Sequence, residues 1–295
     1  MSKVKQSKSN RIKNDRTFMI VSAVCLFIYS AILLYMLGFI LMTSFKSVVE
    51  FSINKTGLPK TFSINPYVSL LDLNVPVGTT KIYLEEMLYY SIRYMIIYTI
   101  CPMTAQVCVA YACAKYKCAY TKFLYDVVIF FLVVPVIGGL SSSLEIAMKL
   151  GTYDNIWGSM FFQFNFGGGT FLILYGVFKG IPRDYMEAAQ MDGAGHFYIM
   201  TRIMLPMGMG VIGVFLITTL IGAWNDYSTA LIWFPSSPTF AYGLYRLSTA
   251  GSGNTAAGVP VQCATCVAAA IPSIIAFACF KDKVIGTMYI GGLKG

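Results

Sequence analysis

Long uncharged stretches alternate along the chain with short ones that hold almost all of its charge. Asp, Glu, Lys and Arg are absent from residues 17–45, 94–114, 127–144, 155–178, 203–225 and 247–280. About 20 apolar residues form a helix long enough to cross the hydrocarbon of a bilayer. The pattern predicts six membrane spans, at about 17–45, 88–114, 123–146, 157–178, 204–233 and 259–280. The run at 127–144 is short and spans only if Asp126 or Glu145 sits at an interface. The last run opens GSGNTAAGVP, whose glycines and proline delay the helix to about Val259. Between Phe18 and Leu41 lie 14 Leu, Ile, Val and Phe residues. At about −0.3 to −0.6 kcal/mol each they favour insertion by roughly 4 to 8 kcal/mol. A cleaved leader has an apolar region of only about 7 to 15 residues, so the first segment reads as a retained span.

The connecting segments are short. Residues 46–86 are the longest polar stretch between spans, with Pro59, Pro66, Pro76 and a turn at Gly78-Thr79-Thr80. Its LPKTFSINPYVSLL is open to two readings, an ordered connector or a short amphipathic helix on the outer surface. FPSSPTF and TAGSGNTAAGVP are outer loops in the same scheme. No repeat of 20 to 50 residues and no inverted duplication is visible. The phosphate loop G-x-x-x-x-G-K-[ST] is also missing, so any ATP that drives this protein would bind a separate subunit.

Composition agrees with a membrane protein: 57% of the 295 residues are hydrophobic and 12% charged, the latter about half the share in a soluble domain. Charge then sets direction. Six of the 22 Lys and Arg precede residue 17, and nine more fall in 115–122, 179–202 and the segment after 280. Basic residues near span ends stay on the cytoplasmic side, which predicts a basic cytoplasmic tail at 1–16 and both termini inside. The net charge of +9 therefore needs no nucleic acid, and no basic stripe with interleaved aromatics is present. The eight cysteines lie in or beside apolar runs and read as small packing residues. Cys263 and Cys266 form a CxxC, but a zinc site needs further ligands and His196 is the only histidine, so no metal is expected.

One inner loop, 179–203, stands apart. GIPRDYMEAAQMDG reads as a short helix with Pro182 at its first position, and Asp184 and Glu187 near that end oppose the helix dipole. Asp192-Gly193 closes it. Residues three and four apart share a face, which lines up Tyr185, Ala188, Ala189 and Asp192 with Met186 alongside. The paired alanines would let another surface approach closely. After Gly195, HFYIMTRIMLP rises into the fifth span, with Pro206 near that span's start. On physical grounds two readings stay open: a docking element that carries force to the fourth and fifth spans, or an amphipathic connector lying in the interface.

Glu187, Ala188, Ala189, Gly193, Ile203, Leu205 and Pro206 match without a gap the signature loop of ABC importer permeases, E-A-A, three residues, G, nine residues, I, one residue, L-P. The surrounding IPRDYMEAAQMDGAG resembles MalG-type carbohydrate importer subunits, as do Trp224-Asn225-Asp226-Tyr227 and the terminal IPSIIAFACFKDKVIGTMYIGGLKG. The likeness runs over roughly residues 90 to 295 and is nearest to the LplC and YtcP type of oligosaccharide permease. Gly210 departs from the pattern, standing where many members have a second proline. The resemblance implies an all-α membrane protein with six transmembrane helices of the MetI-like, type I ABC importer fold, and a cytoplasmic coupling helix. It further implies that Arg183, Asp184, Glu187, Ala188, Ala189, Asp192, Gly193 and His196 meet an ATPase. The partners implied are a second, non-identical permease, two cytoplasmic ABC ATPase subunits that bind ATP and Mg, and an extracytoplasmic solute-binding protein. Membrane lipid surrounds the assembly, and this chain itself carries no cofactor and no catalytic residue.

Ionisable groups at membrane depth cost about 2.5 to 3.5 kcal/mol on insertion scales, which makes the few present functional candidates. Trp224, Asn225 and Asp226 combine an aromatic face with polar acceptors, as sugar binding requires, although Trp and Tyr also mark membrane interfaces. Ser142 and Asn165, with Glu145 and Gln163, either line the same path or act as polar glue between helices. Gly167 to Gly169 allow close packing or a bend. Arg93 and Arg246 lie near outer ends and snorkel. The function expected is a permease subunit that moves an oligosaccharide across a bacterial cytoplasmic membrane by alternating access. Rival readings are an importer for glycerol phosphates or another polar solute, and an ion-coupled carrier, which should show paired broken helices and a mid-membrane carboxylate.

Overall fold

The computed structural model describes residues 2–134, 138–163, 168–249 and 258–291. Among these the fold is helical apart from one two-stranded hairpin. The chain divides into two compact units, 1–70 with 251–267 and 71–250 with 268–295.

In the first unit, α1 (Ser2–Ser44) runs as one helix from the basic tail through the first span. Most of its apolar part, Phe18–Ser44, is exposed among the described residues, as suits a helix in lipid or against another subunit, and only its end, at Thr43 and Ser44, is buried. The polar segment after it is folded. Ser47 caps α2 (Val48–Ile53) by accepting the Glu50 amide at 3.1 Å. The Glu50 carboxylate accepts from the Lys60 amide and, at 3.1 Å, from the Thr61 hydroxyl. The Lys60 bond, above all, holds that carboxyl below its ordinary pKa. A short helix, α3 (Asn65–Leu71), does lie within LPKTFSINPYVSLL.

The second unit opens with β1 (Asn74–Val77) and β2 (Thr80–Tyr83), antiparallel with Val77 paired to Thr80. The two-residue turn needs a positive φ, which Gly78 supplies at 59°. From there α4 (Leu84–Lys115) forms the central rod and packs against α8 (Gly169–Gly180) and α11 (Leu205–Asn225). Glu85 and Glu86 at its start and Lys115 at its end both complement the helix dipole.

Several of the six expected spans are interrupted. The third is two helices, α5 (Ala119–Val133) and α6 (Gly139–Lys149). The fourth is likewise α7 (Ile156–Gln163) followed by α8. Gly138 before α6 and Gly168 before α8 have φ of 81° and 96°, a region that disfavours side chains and ends regular helix. The expected fifth span breaks after Asn225 and resumes as α12 (Ser228–Trp233), and the sixth, α14 (Val259–Gly291), continues past residue 280. Among the described residues, four stretches are long and apolar enough to cross a membrane whole: Phe18–Ser44, Leu84–Lys115, His196–Asn225 and Val259–Lys281.

The buried residues of the second unit form two clusters. One, with Met103, Tyr111, Phe171, Phe178 and Ile212, lies toward the end of α4 that carries Lys115. The other, with Met87, Tyr94, Trp224, Trp233 and Phe240, lies toward its start.

Candidate functional site

The inner loop is built around α9 (Asp184–Met191). The helix begins at Asp184 after Arg183 rather than at Pro182. Asp184 and Glu187 lie in its first turn, where their charge opposes the dipole. Its end is closed by paired bonds, Ala194 N–H to the Ala189 carbonyl at 2.9 Å and Gly193 N–H to that of Gln190 at 3.0 Å. This six-to-one and five-to-two pair requires a left-handed residue between, and Gly193 has φ of 81° with open space around it. The chain then enters α10 (His196–Tyr198), capped by Gly195.

From His196 the helix runs unbroken to Asn225, so Pro206 sits inside it and does not start it. Proline lacks an amide and its ring crowds the carbonyl four residues back, Arg202. A π-helical turn, Ile199–Met204, makes the room: Leu205 N–H reaches the Met200 carbonyl, five residues back.

The faces of α9 also differ from the expected arrangement. Met186 and Ala189 are buried and join the cluster around Phe178 and Ile199, while Tyr185, Glu187, Ala188, Met191 and Asp192 are exposed. The two alanines therefore lie on different faces, Ala188 exposed and Ala189 buried, because adjacent residues on a helix are about 100° apart. Of the two, only Ala188 is exposed; Ala189 allows α9 itself to sit close to the core. Among the described residues the side chains of Asp184, Glu187 and Asp192 make no ion pair.

Three further residues fix the loop. The buried Lys115 donates from Nζ to the Ile181 carbonyl, and Arg183 Nη2 donates to the Lys115 carbonyl at 3.0 Å. Tyr116 Oη lies 3.0 Å from His196 Nδ1, with the rings edge to face at 5.5 Å. A cavity of about 390 Å³ lies beside this corner, lined by Tyr116, Lys117, Lys122, Tyr125 and Tyr175 among others.

At the far end of α11 the second group of candidates comes together. Trp224 is buried, packs on Phe240 and donates from Nε1 to the Ala269 carbonyl at 2.8 Å. Asp226, the C-cap residue of α11, accepts from the Tyr94 hydroxyl at 2.8 Å and from the Ser228 and Thr229 amides at 3.0 and 3.1 Å, which ties α4 and the start of α12 to this break. Asn225 is exposed and donates to the Ile221 carbonyl and to Ser273 Oγ. Tyr227, also exposed, stacks on Tyr245 at 4.4 Å. Ser142 is exposed on α6, and Glu145 on the same helix pairs with Lys149 at 2.7 Å. Asn165 lies outside the described residues. Arg93 holds its guanidinium over the Trp157 ring, 5.8 Å from its centre.

This architecture can be set against known proteins. Residues 106–281 match the family described as binding-protein-dependent transport system inner membrane component. The chain belongs to that family. It is therefore a multi-pass membrane component of a transport system, and the matched stretch contains the whole inner loop and the Trp224–Asp226 corner. Among relatives, LplC of Bacillus subtilis (strain 168) is 25% identical over 80% of this chain and 83% of its own length. The maltodextrin transport system permease protein MdxG of the same organism is 29% identical, over 57% of this chain and 61% of its own. The fold resembles a chain of the crystal structure of a bacterial ABC transporter involved in the import of the acidic polysaccharide alginate. There the TM-score is 0.75 at 22% identity, over 91% of this chain and 97% of that one.

Sequence reasoning missed Lys115, Tyr116 and Tyr94. The first two entered only as part of a basic loop, and nothing in the local pattern singles out Tyr94, whose partner is 132 residues away.

Proposed function

We propose that this family member is the permease subunit of an ATP-driven ABC importer that moves an oligosaccharide inward by alternating access. The observation that carries the reading is α9, a short exposed helix fixed at both ends, with acidic and small residues on its free face. Such an element has what docking into an ATPase cleft requires: a rigid backbone, Ala188 for close approach, and Glu187 and Asp192 to meet donors. ATP and Mg bind the two ATPase subunits, and a second, non-identical permease completes the path. A solute-binding protein delivers the sugar, and the basic residues place both termini in the cytoplasm. The maltodextrin named for MdxG supports an oligosaccharide as cargo. At the outer corner the exposed side chains able to meet it are Asn225 and Tyr227, while Trp224 and Asp226 hold that corner in shape.

The test is purification of the complex from its native membrane with Glu187→Ala and Gly193→Val variants. An ATPase and a second permease should copurify with the unaltered chain, and both variants should lose uptake of labelled maltodextrins while remaining in the membrane. Normal coupling in both variants, or an active homodimer, refutes the reading.

A further inference from the structure

Two consecutive residues at the inner end of α4 hold the coupling loop on both sides of α9. Before the helix, Lys115 and the 181–183 segment exchange bonds: Lys115 Nζ to the Ile181 carbonyl, and Arg183 Nη2 back to the Lys115 carbonyl. After it, Tyr116 Oη meets His196 Nδ1 at 3.0 Å. One turn back along α4, the buried Tyr111 packs its ring edge to face on both Tyr116 and Phe178 of α8. The entry and exit of the loop thus close on one corner of a third helix, besides the chain connections to α8 and α11.

We propose that Lys115 and Tyr116 are positioning residues for coupling, latching the loop to α4 so that a displacement of α9 moves α4 directly. The proposal rests on the coupling role given above to α9. Its physical ground is the expense of the alternative. Lys115 is 2% exposed, and a loop that moved away alone would leave its ammonium buried without its acceptor. Bending α4 is no easier. Its inner half is packed against α8 and α11, and Pro102, the one proline inside it, lies more than three turns from the latch. At the other end of the same helix, Tyr94 donates to Asp226 at the break between α11 and α12. Tyr94 and Lys115 are 21 residues apart, roughly 32 Å of one continuous helix that includes Pro102, so α4 joins the driven corner to the outer break.

Hydrogen–deuterium exchange of the complex purified from its native membrane reads this without knowledge of the cargo, using ATP, Mg and vanadate as the probe. In the unaltered complex the probe should change exchange in both 184–196 and 110–118. In Tyr116→Phe and Lys115→Met the response of 184–196 should persist while that of 110–118 falls about three- to tenfold, the effect of losing one hydrogen bond. Lys115→Arg keeps a donor and should restore it. Tyr116→Phe combined with His196→Phe should be no worse than His196→Phe alone, because both remove the same bond. An undiminished response of 110–118 in both single variants overturns the latch, and Tyr116→Phe decides alone if Lys115→Met does not assemble. Absence of any response at 184–196 in the unaltered complex instead refutes the coupling role of α9, and the latch with it.

Discussion

On α9, Tyr185, Glu187, Ala188 and Asp192 stand exposed, and the bonds that shape the loop are made by its backbone and by Lys115, Arg183 and Tyr116. At the outer corner the reverse holds: Asp226 is engaged by Tyr94, Ser228 and Thr229, and Trp224 is buried with its N–H bonded. Both regions carry family-like motifs, yet one leaves its polar side chains exposed and the other uses them to hold its own shape. A motif residue is thus a contact or a brace according to whether its bonding groups are already satisfied.

The largest effect that would break this comparison is at Gly193. Valine there must adopt φ near 81°, a strain of about 1–3 kcal/mol, and should abolish copurification of the ATPase. Gly195, at φ of −71° with open space, should accept alanine with no loss, which serves as the control. Next come the adjacent alanines. Ala189→Leu should overpack the core and lower thermal stability of the subunit by about 1–3 kcal/mol, whereas Ala188→Leu should leave melting unchanged and block docking. Equal melting shifts would mean that α9 does not have the two faces described. At the outer corner Asp226→Asn should destabilise by about 1–3 kcal/mol, and Tyr94→Phe by about 1 kcal/mol, in thermal unfolding. Stability unchanged in both would make Asp226 free for cargo after all. The smallest effect is expected at Glu50. Its folded pKa lies below the unfolded value, so its contribution is present above the ordinary carboxylate range and fades as pH falls through the folded value. Glu50→Gln should flatten that part of the acid unfolding curve, and an unaltered curve removes the bonds to Lys60 and Thr61 from the account.

Much of the inner loop was legible because its shape depends on neighbours in sequence. Gly193 closes α9 through bonds to residues three to five positions away, and spacing records such contacts. The helical spacing also put Tyr185, Ala188 and Asp192 on one face, and all three are exposed. The split between Ala188 and Ala189 was not legible, since alanine suits a core and a close-docking surface equally. Pro206 misled for a related reason: a proline near the start of an apolar run ordinarily begins a helix, but here a π-helical turn absorbs it. The breaks at Gly138 and Gly168 lie within apolar runs, where hydropathy records composition and is blind to backbone conformation.

By itself the sequence determined that the chain is a helical membrane protein of this family, with a short polar helix–turn segment between apolar runs. Apolar length and glycine position act locally, and the seven spaced residues of the loop mark the family. Only the tertiary structure decided which motif side chains remain free. Trp224 and Asp226 meet Ala269 and Tyr94, and Lys115 and Tyr116 meet Ile181 and His196, across 45 to 132 residues of chain. Those meetings depend on how α4, α8, α11 and α14 pack, and no pattern along one helix records the partner it finds on another.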